Sequence, residues 1–239
     1  MNKKYKLVEK KSFPEINKEL WQVEALCDFG NVKKGERGGW IEKESNLDAQ
    51  VCGNAWVYGN AQVCGNAQVY GDARVCGNAR VCGNARVCGN AEVCGNAQVY
   101  GNAQVCGNAW VCGNAQVCGN ARVCGNARVY GDAWVCGDAQ VCGDAEVYGD
   151  AQVYGDARVY GNAEILVLGK LGNCRRFITA TWSKDNYIKV KAGCFFGTID
   201  NFQKAVTEKY GDGESDYMLI IPLLRKKERE WANQHKEKE

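Results

Sequence analysis

The chain has 239 residues, is 46% hydrophobic and carries a net charge of +2, enough for an extended repeat unit with small flanking units. Residues 1–17 are polar and Lys-rich, and no apolar run reaches signal or membrane-spanning length, so residence in the cytoplasm is expected. Fifteen cysteines, an odd count without a secretory signal, point to reduced thiols.

In chain order, residues 4–10 and 20–26 read as short strands, and the glycines between Asp28 and Glu42 mark turns. Residues 1–46 are assigned as an N-terminal β cap. From Leu47 to Leu166 the chain reads Gly-(Asn/Asp)-Ala-x-Val-(Cys/Tyr) with a strict period of six. Valine recurs from Val51 to Val159, and Ile165 takes the next slot. In an extended segment alternate side chains share a face, so Ala and Val point one way and x the other. Gly-Asn and Gly-Asp favour a turn, because both residue types tolerate a left-handed backbone. A four-residue strand with a corner every six residues is too short for a hairpin sheet. It suits an all-β solenoid in which each coil hydrogen-bonds to the next and buries Val and Ala.

Beyond Leu166 the pattern ends. Arg176–Trp182 and Tyr187–Lys191 read as paired strands around a turn at residues 184–186. Thr198–Tyr210 suits an amphipathic helix with Phe202, Ala205 and Val206 inward and Gly211 at its end. Met218–Trp231 is apolar, then charged, with Pro222 interrupting its start, and the mixed-charge tail reads as a solvated helix. Residues 167–239 are assigned as a small α+β unit.

The repeat resembles the hexapeptide-repeat, left-handed parallel β-helix family. That resemblance implies three hexapeptides per coil, six to seven coils roughly 30 Å tall, and frequent homotrimers. The flanks sharpen it. Phe29 to Gly35, Gly38 to Glu42 and Asn46-Leu47 are similar to the opening of phage and prophage members. Ile178 to Thr181 and Gly193-Cys194-Phe195 are similar to their ending. The resemblance spans about residues 20–225 and implies a virus-derived protein of the host cytoplasm, without naming a reaction.

With three repeats per coil, the outward residue before each Val falls into three columns. The first holds Gln50, Gln68, Arg86, Gln104, Arg122, Gln140 and Arg158, with no acid. Arg suits anion and phosphate recognition, so Arg86, Arg122, Arg158, Gln104 and Gln140, with Tyr70 and Tyr160 beside them, form the candidate ligand site. The second column repeats Trp-Arg-Glu after 54 residues, with Trp56, Arg74, Trp110 and Arg128 as a ladder of cation–π and ion-pair contacts. The third holds Gln62, Arg80, Gln98, Gln116, Trp134 and Gln152. Corner residues change from Asn to Asp late in the array, which offsets the arginine charge and argues against nucleic acid. The residue after each Val is Cys or Tyr. Stacked cysteines read as small apolar filler, because in-register side chains rarely reach disulfide torsion and a line of thiols does not make a tetrahedral metal site.

Many relatives in the resembling family are acyltransferases, which implies a catalytic His beside a protruding loop. This chain has one His, His235, in its tail, and no insertion in the array, so no general base sits on the prism. No phosphate-loop motif appears, and no cofactor or metal is expected. The expected function is non-catalytic: a trimeric β-helix that binds or sequesters a small anionic, nucleotide-like ligand such as a host-defence signal. The alternatives are an adaptor that contacts a protein through residues 167–239 and a degenerate acyltransferase.

Overall fold

The computed structural model describes residues 3–48, 53–159, 165–171, 176–183, 185–211 and 215–236. The repeat forms a parallel β-solenoid of about six turns. Each hexapeptide contributes a strand of two or three residues, and each strand pairs in parallel with the one 18 residues on, as in Arg86 with Gln104 and Val87 with Val105. The coil therefore contains three repeats. The hydrogen bonds run from coil to coil, Arg86 N–H to the Ala103 carbonyl and Cys88 N–H to the Val105 carbonyl, both 2.9 Å. Every Val from Val57 to Val159 and every Ala from Ala55 to Ala157 is buried in one continuous core. Each buried Val contributes roughly 1.5–3 kcal/mol of transfer free energy.

Glycine makes the corners. Gly101 has φ +72°, and a Cβ there would lie 3.0 Å from both the nitrogen and the oxygen of Gly119 on the next coil. The corner asparagines form amide ladders. Asn84 Nδ2 donates to Asn102 Oδ1 (3.0 Å), Asn102 to Asn120 (3.0 Å), and Asn120 to Asp138 (2.9 Å). The Asn-to-Asp change read above as charge compensation is thus also the end of a donor chain, since a carboxylate accepts and cannot donate onward.

At the N-terminus, Tyr5–Phe13, Lys18–Ala25 and Arg37–Ile41 form an antiparallel sheet. Its last strand pairs in parallel with Gln62–Val63, so the cap extends one face of the solenoid without a break. The outer strand carries Lys6, Lys10 and Lys11 exposed on the free edge, a pattern that discourages further strand addition. At the start of the array Leu47 lies opposite Val69; residues 49–52, including Gln50 and Val51, lie outside the described residues.

The other end is closed by an antiparallel sheet of Ile165–Leu171, Arg176–Trp182, Ile188–Ala192 and Phe195–Thr198. Ile165, expected as the last inward repeat residue, instead pairs antiparallel with Thr181. It still serves the core: Ile165 and Val167 pack on the solenoid, whereas Leu166 and Leu168 pack into a second core. Alternation along one strand thus joins the two cores. Helix α1 (Ile199–Tyr210) starts where Thr198 Oγ1 accepts from Asn201 N–H and ends at Gly211, φ +74°. Helix α2 (Asp216–Lys236) runs through Pro222. The proline lies in its second turn, where only the Met218 carbonyl loses a partner, so the expected interruption does not occur. Nor is the tail simply solvated: Trp231 is 2% exposed and meets Trp182 edge-on at 6.5 Å.

Gly101→Ala is expected to destabilise the protein by about 1–3 kcal/mol, through the left-handed backbone and the close coil contact. Gln98→Ser, at an outward position, should change stability by less than about 0.5 kcal/mol. Thermal melts followed by circular dichroism compare the two.

Candidate functional site

On the first face, Arg86 stacks between Gln68 and Gln104, and Arg122 between Gln104 and Gln140. Both guanidinium-bearing side chains are exposed, and Arg158, paired in register with Gln140, is half-buried. Arginines two coils apart are about 9.6 Å from one another. Among the described residues none of the three forms an ion pair, whereas Arg80 reaches Glu15 at 3.6 Å and Arg128 reaches Glu146 at 3.4 Å. Tyr70 sits half-buried at the foot of the same face, its phenol pushed up by a hydrogen bond with Cys88 and then by burial. Tyr160 lies outside the described residues. In register, the described residues of this column form a ladder of side chains along the face.

The second column splits into dissimilar parts. Trp56 is 0% exposed: Phe29 of the cap meets it edge-on at 5.4 Å, so it is sealed from any ligand and does not serve as a surface rung. Sequence reasoning missed this because the column rule knows nothing of the cap. Arg74 is exposed and borders a hollow of about 250 Å³ with Asn31, Tyr58 and Asp72. Trp110 is 42% exposed, and its Nε1–H donates to Cys94 Sγ at 3.2 Å. Arg128 pairs with Glu146.

The cysteines correct a second expectation. Cys118–Cys136 and Cys124–Cys142 are disulfides linking adjacent coils, with Cα atoms 4.8 and 4.6 Å apart. The coil spacing lies inside the Cα range a disulfide spans, so stacking in register favours the bond. The other described ladder cysteines are free. The Cys64 thiol donates to Cys82, which pushes Cys64 up and holds Cys82 down to about 7, helped by Arg80. On the second face, burial and then the neighbouring Cys94 push Cys76 up to about 12 and Cys112 up to about 11.

The C-terminal unit holds a cleft of about 180 Å³ lined by Phe195, Phe202, Tyr210 and Tyr217, with Lys209 and Cys194 at its margin. An apolar concavity with a few polar groups has the character of a binding pocket. The sequence offers no repeat from which to find it, because its residues come from a strand and two helices.

These features define a β-solenoid repeat protein with a capped end and a C-terminal α+β closure. The array is similar to the family described as YdcK Beta solenoid repeat, matched at residues 49–65, 61–77, 67–83, 73–89, 79–95, 97–113, 103–119, 121–137 and 151–164. No curated protein matches the chain. No helix among the described residues is long and apolar enough to cross a membrane.

Cys82 is expected to be the first ladder thiol alkylated by iodoacetamide, at a rate that rises as pH passes through about 7. Peptide mass mapping after brief exposure reads this, and earlier labelling of Cys76 or Cys112 is the contrary result.

Proposed function

We propose that this chain is a non-catalytic binding protein that holds a small anionic, nucleotide-like ligand. The observation that carries the reading is the first face: Arg86, Arg122 and Arg158 form an acid-free column in which, among the described residues, no guanidinium has a carboxylate partner. Such groups offer forked donors matched to phosphate. We take the solenoid to be left-handed, of the hexapeptide-repeat type carried by phage and prophage, and trimeric. Trimerisation sets a straight face from one subunit against its neighbour and makes three equivalent clefts. A phage-derived protein of the bacterial cytoplasm built this way serves to sequester a nucleotide signal of host defence, a task that asks only for affinity and copy number.

A second reading is favoured by the C-terminal unit. Leu219 is 71% exposed and Leu223, one turn on, is also exposed beside α2 lysines. That stripe and the aromatic cleft suit a protein partner held through residues 167–239, with the solenoid as a rigid scaffold.

Native mass spectrometry and calorimetry with cyclic and linear nucleotides separate the two. The sequestration reading expects a trimer that retains about three ligands, with affinity falling as salt rises. Arg86→Gln with Arg122→Gln should weaken binding at least tenfold, consistent with charge-assisted hydrogen bonds of about 1.5–3 kcal/mol each. Unchanged affinity in the double variant would sink the site assignment. Leu219→Arg with Leu223→Arg should leave nucleotide affinity intact and abolish partner capture if the adaptor reading holds.

A further inference from the structure

The alternation that puts Val inward puts both its neighbours outward. Each face therefore carries two side-by-side columns, one variable and one of Cys or Tyr. On the second face this brings Glu92 and Cys94, from one strand, together with Cys76 from the coil before. Their ligand atoms lie within 4.8 Å of one another, and Cys76 Sγ is 3.9 Å from Glu92 Oε1. Cys112 stacks on Cys94 from the coil after, each a thiol within reach of the other. All four side chains are half-buried.

Three comparisons within the molecule single this cluster out. The free cysteine pairs on the other faces, Cys88 with Cys106 and Cys64 with Cys82, have Arg86, Gln104, Gln62 and Arg80 as column neighbours, groups that repel or ignore a cation. The 54-residue duplication supplies the second comparison. Cys76, Glu92 and Cys94 become Tyr130, Glu146 and Tyr148, and there Glu146 is paired with Arg128 while the two tyrosine rings stack at 5.6 Å. Glu92 makes no ion pair with Arg74, and its contact is the thiol instead. The third comparison is parity. Among the described residues the ladder cysteines run in twos and a four on the other faces, and in a three here, bounded by Tyr58 and Tyr130. Pairing into disulfides always leaves one of these three thiols over.

We propose that Cys76, Glu92 and Cys94 form a binding site for one zinc-like divalent cation in the reduced protein, with a solvent molecule completing the four positions. Two thiolates and a carboxylate are a donor set that suits Zn²⁺, with metal–sulfur bonds near 2.3 Å and metal–oxygen bonds near 2.0–2.2 Å. Donors around one such ion sit about 3.5–4 Å apart, so the present spread closes by side-chain rotation without moving the coils. The Trp110 Nε1–H donates to Cys94 Sγ and steadies the thiolate, as donors around metal sites do. Two thiol protons leave as the ion enters, so affinity rises with pH. The ion ties two neighbouring coils together near the middle of the array. This site is independent of the anion-binding proposal, since it lies on a different face and uses none of its residues.

The test uses the full chain, reduced with a phosphine and freed of chelators, titrated with Co²⁺ and then with Zn²⁺. The expected result is thiolate-to-cobalt charge-transfer absorption with tetrahedral visible bands, saturating at one equivalent per chain and displaced by Zn²⁺. Cys94→Ser and Cys76→Ser should each abolish the signal. Glu92→Gln, which changes only an outward side chain, should weaken binding at least tenfold, and Cys106→Ser on the first face should leave it unchanged. Thermal melting confirms that each variant is folded. An absent thiolate band in the wild type, or an equal band in folded Cys94→Ser and Cys76→Ser, would overturn the proposal.

Discussion

Each coil is held to the next by backbone hydrogen bonds between residues about one turn apart, and this spacing governs what the chain can be made of. At 18 residues per turn, every side chain lies near 4.8 Å from its counterpart above and below. A residue type survives here only if it tolerates its own kind. Val and Ala stack by dispersion and burial. Asn is both donor and acceptor, so an amide column satisfies itself. Arg does not tolerate itself. Two guanidinium charges at that distance repel by about 1 kcal/mol in water and about 3.5 kcal/mol at an effective dielectric of 20. In the two outward columns that hold more than one arginine, the arginines are separated by other residues, as Gln104 separates Arg86 from Arg122. The spacing of the candidate anion site follows from this constraint.

The interior of the array was legible in the sequence because it is the same local decision taken over and over. Val, Ala, Gly and the corner amide each have a single structural reason, and the period sums them. The ends were less legible, since there the reason is tertiary. Leu47 lies opposite Val69, a pairing that the six-residue period does not give. Ile165 takes the repeat's next Val slot by spacing, yet pairing with the Arg176–Trp182 strand, downstream in sequence, takes it into an antiparallel sheet. Pro222 reads as a breaker, yet the buried Tyr217, Ile221 and Leu224 hold the helix across it.

The candidate sites divide in the same way. The arginine column could be read directly, because one residue in six suffices to define it. The fate of Trp56 could not, since its enclosure depends on Phe29 in the cap. The disulfides are not legible in the sequence, because torsion argues against them and only the coil spacing shows the Cα atoms to be within range. The grouping of Glu92 with thiols was visible in principle. It requires two columns to be read as neighbours and offset by a coil, which the period of a single column does not reveal. The aromatic cleft of the C-terminal unit was out of reach, because Phe195, Phe202 and Tyr217 share no period.

The amide ladders give the rod a direction. Asn60, Asn66 and Asn90 each begin a described relay of side-chain donations that passes up the molecule and stops at Asp132, Asp138 and Asp144. A carboxylate accepts but offers no hydrogen onward, so each relay has a defined last member within the array. Beyond it, Asp150 and Asp156 continue two of the columns with acceptors alone.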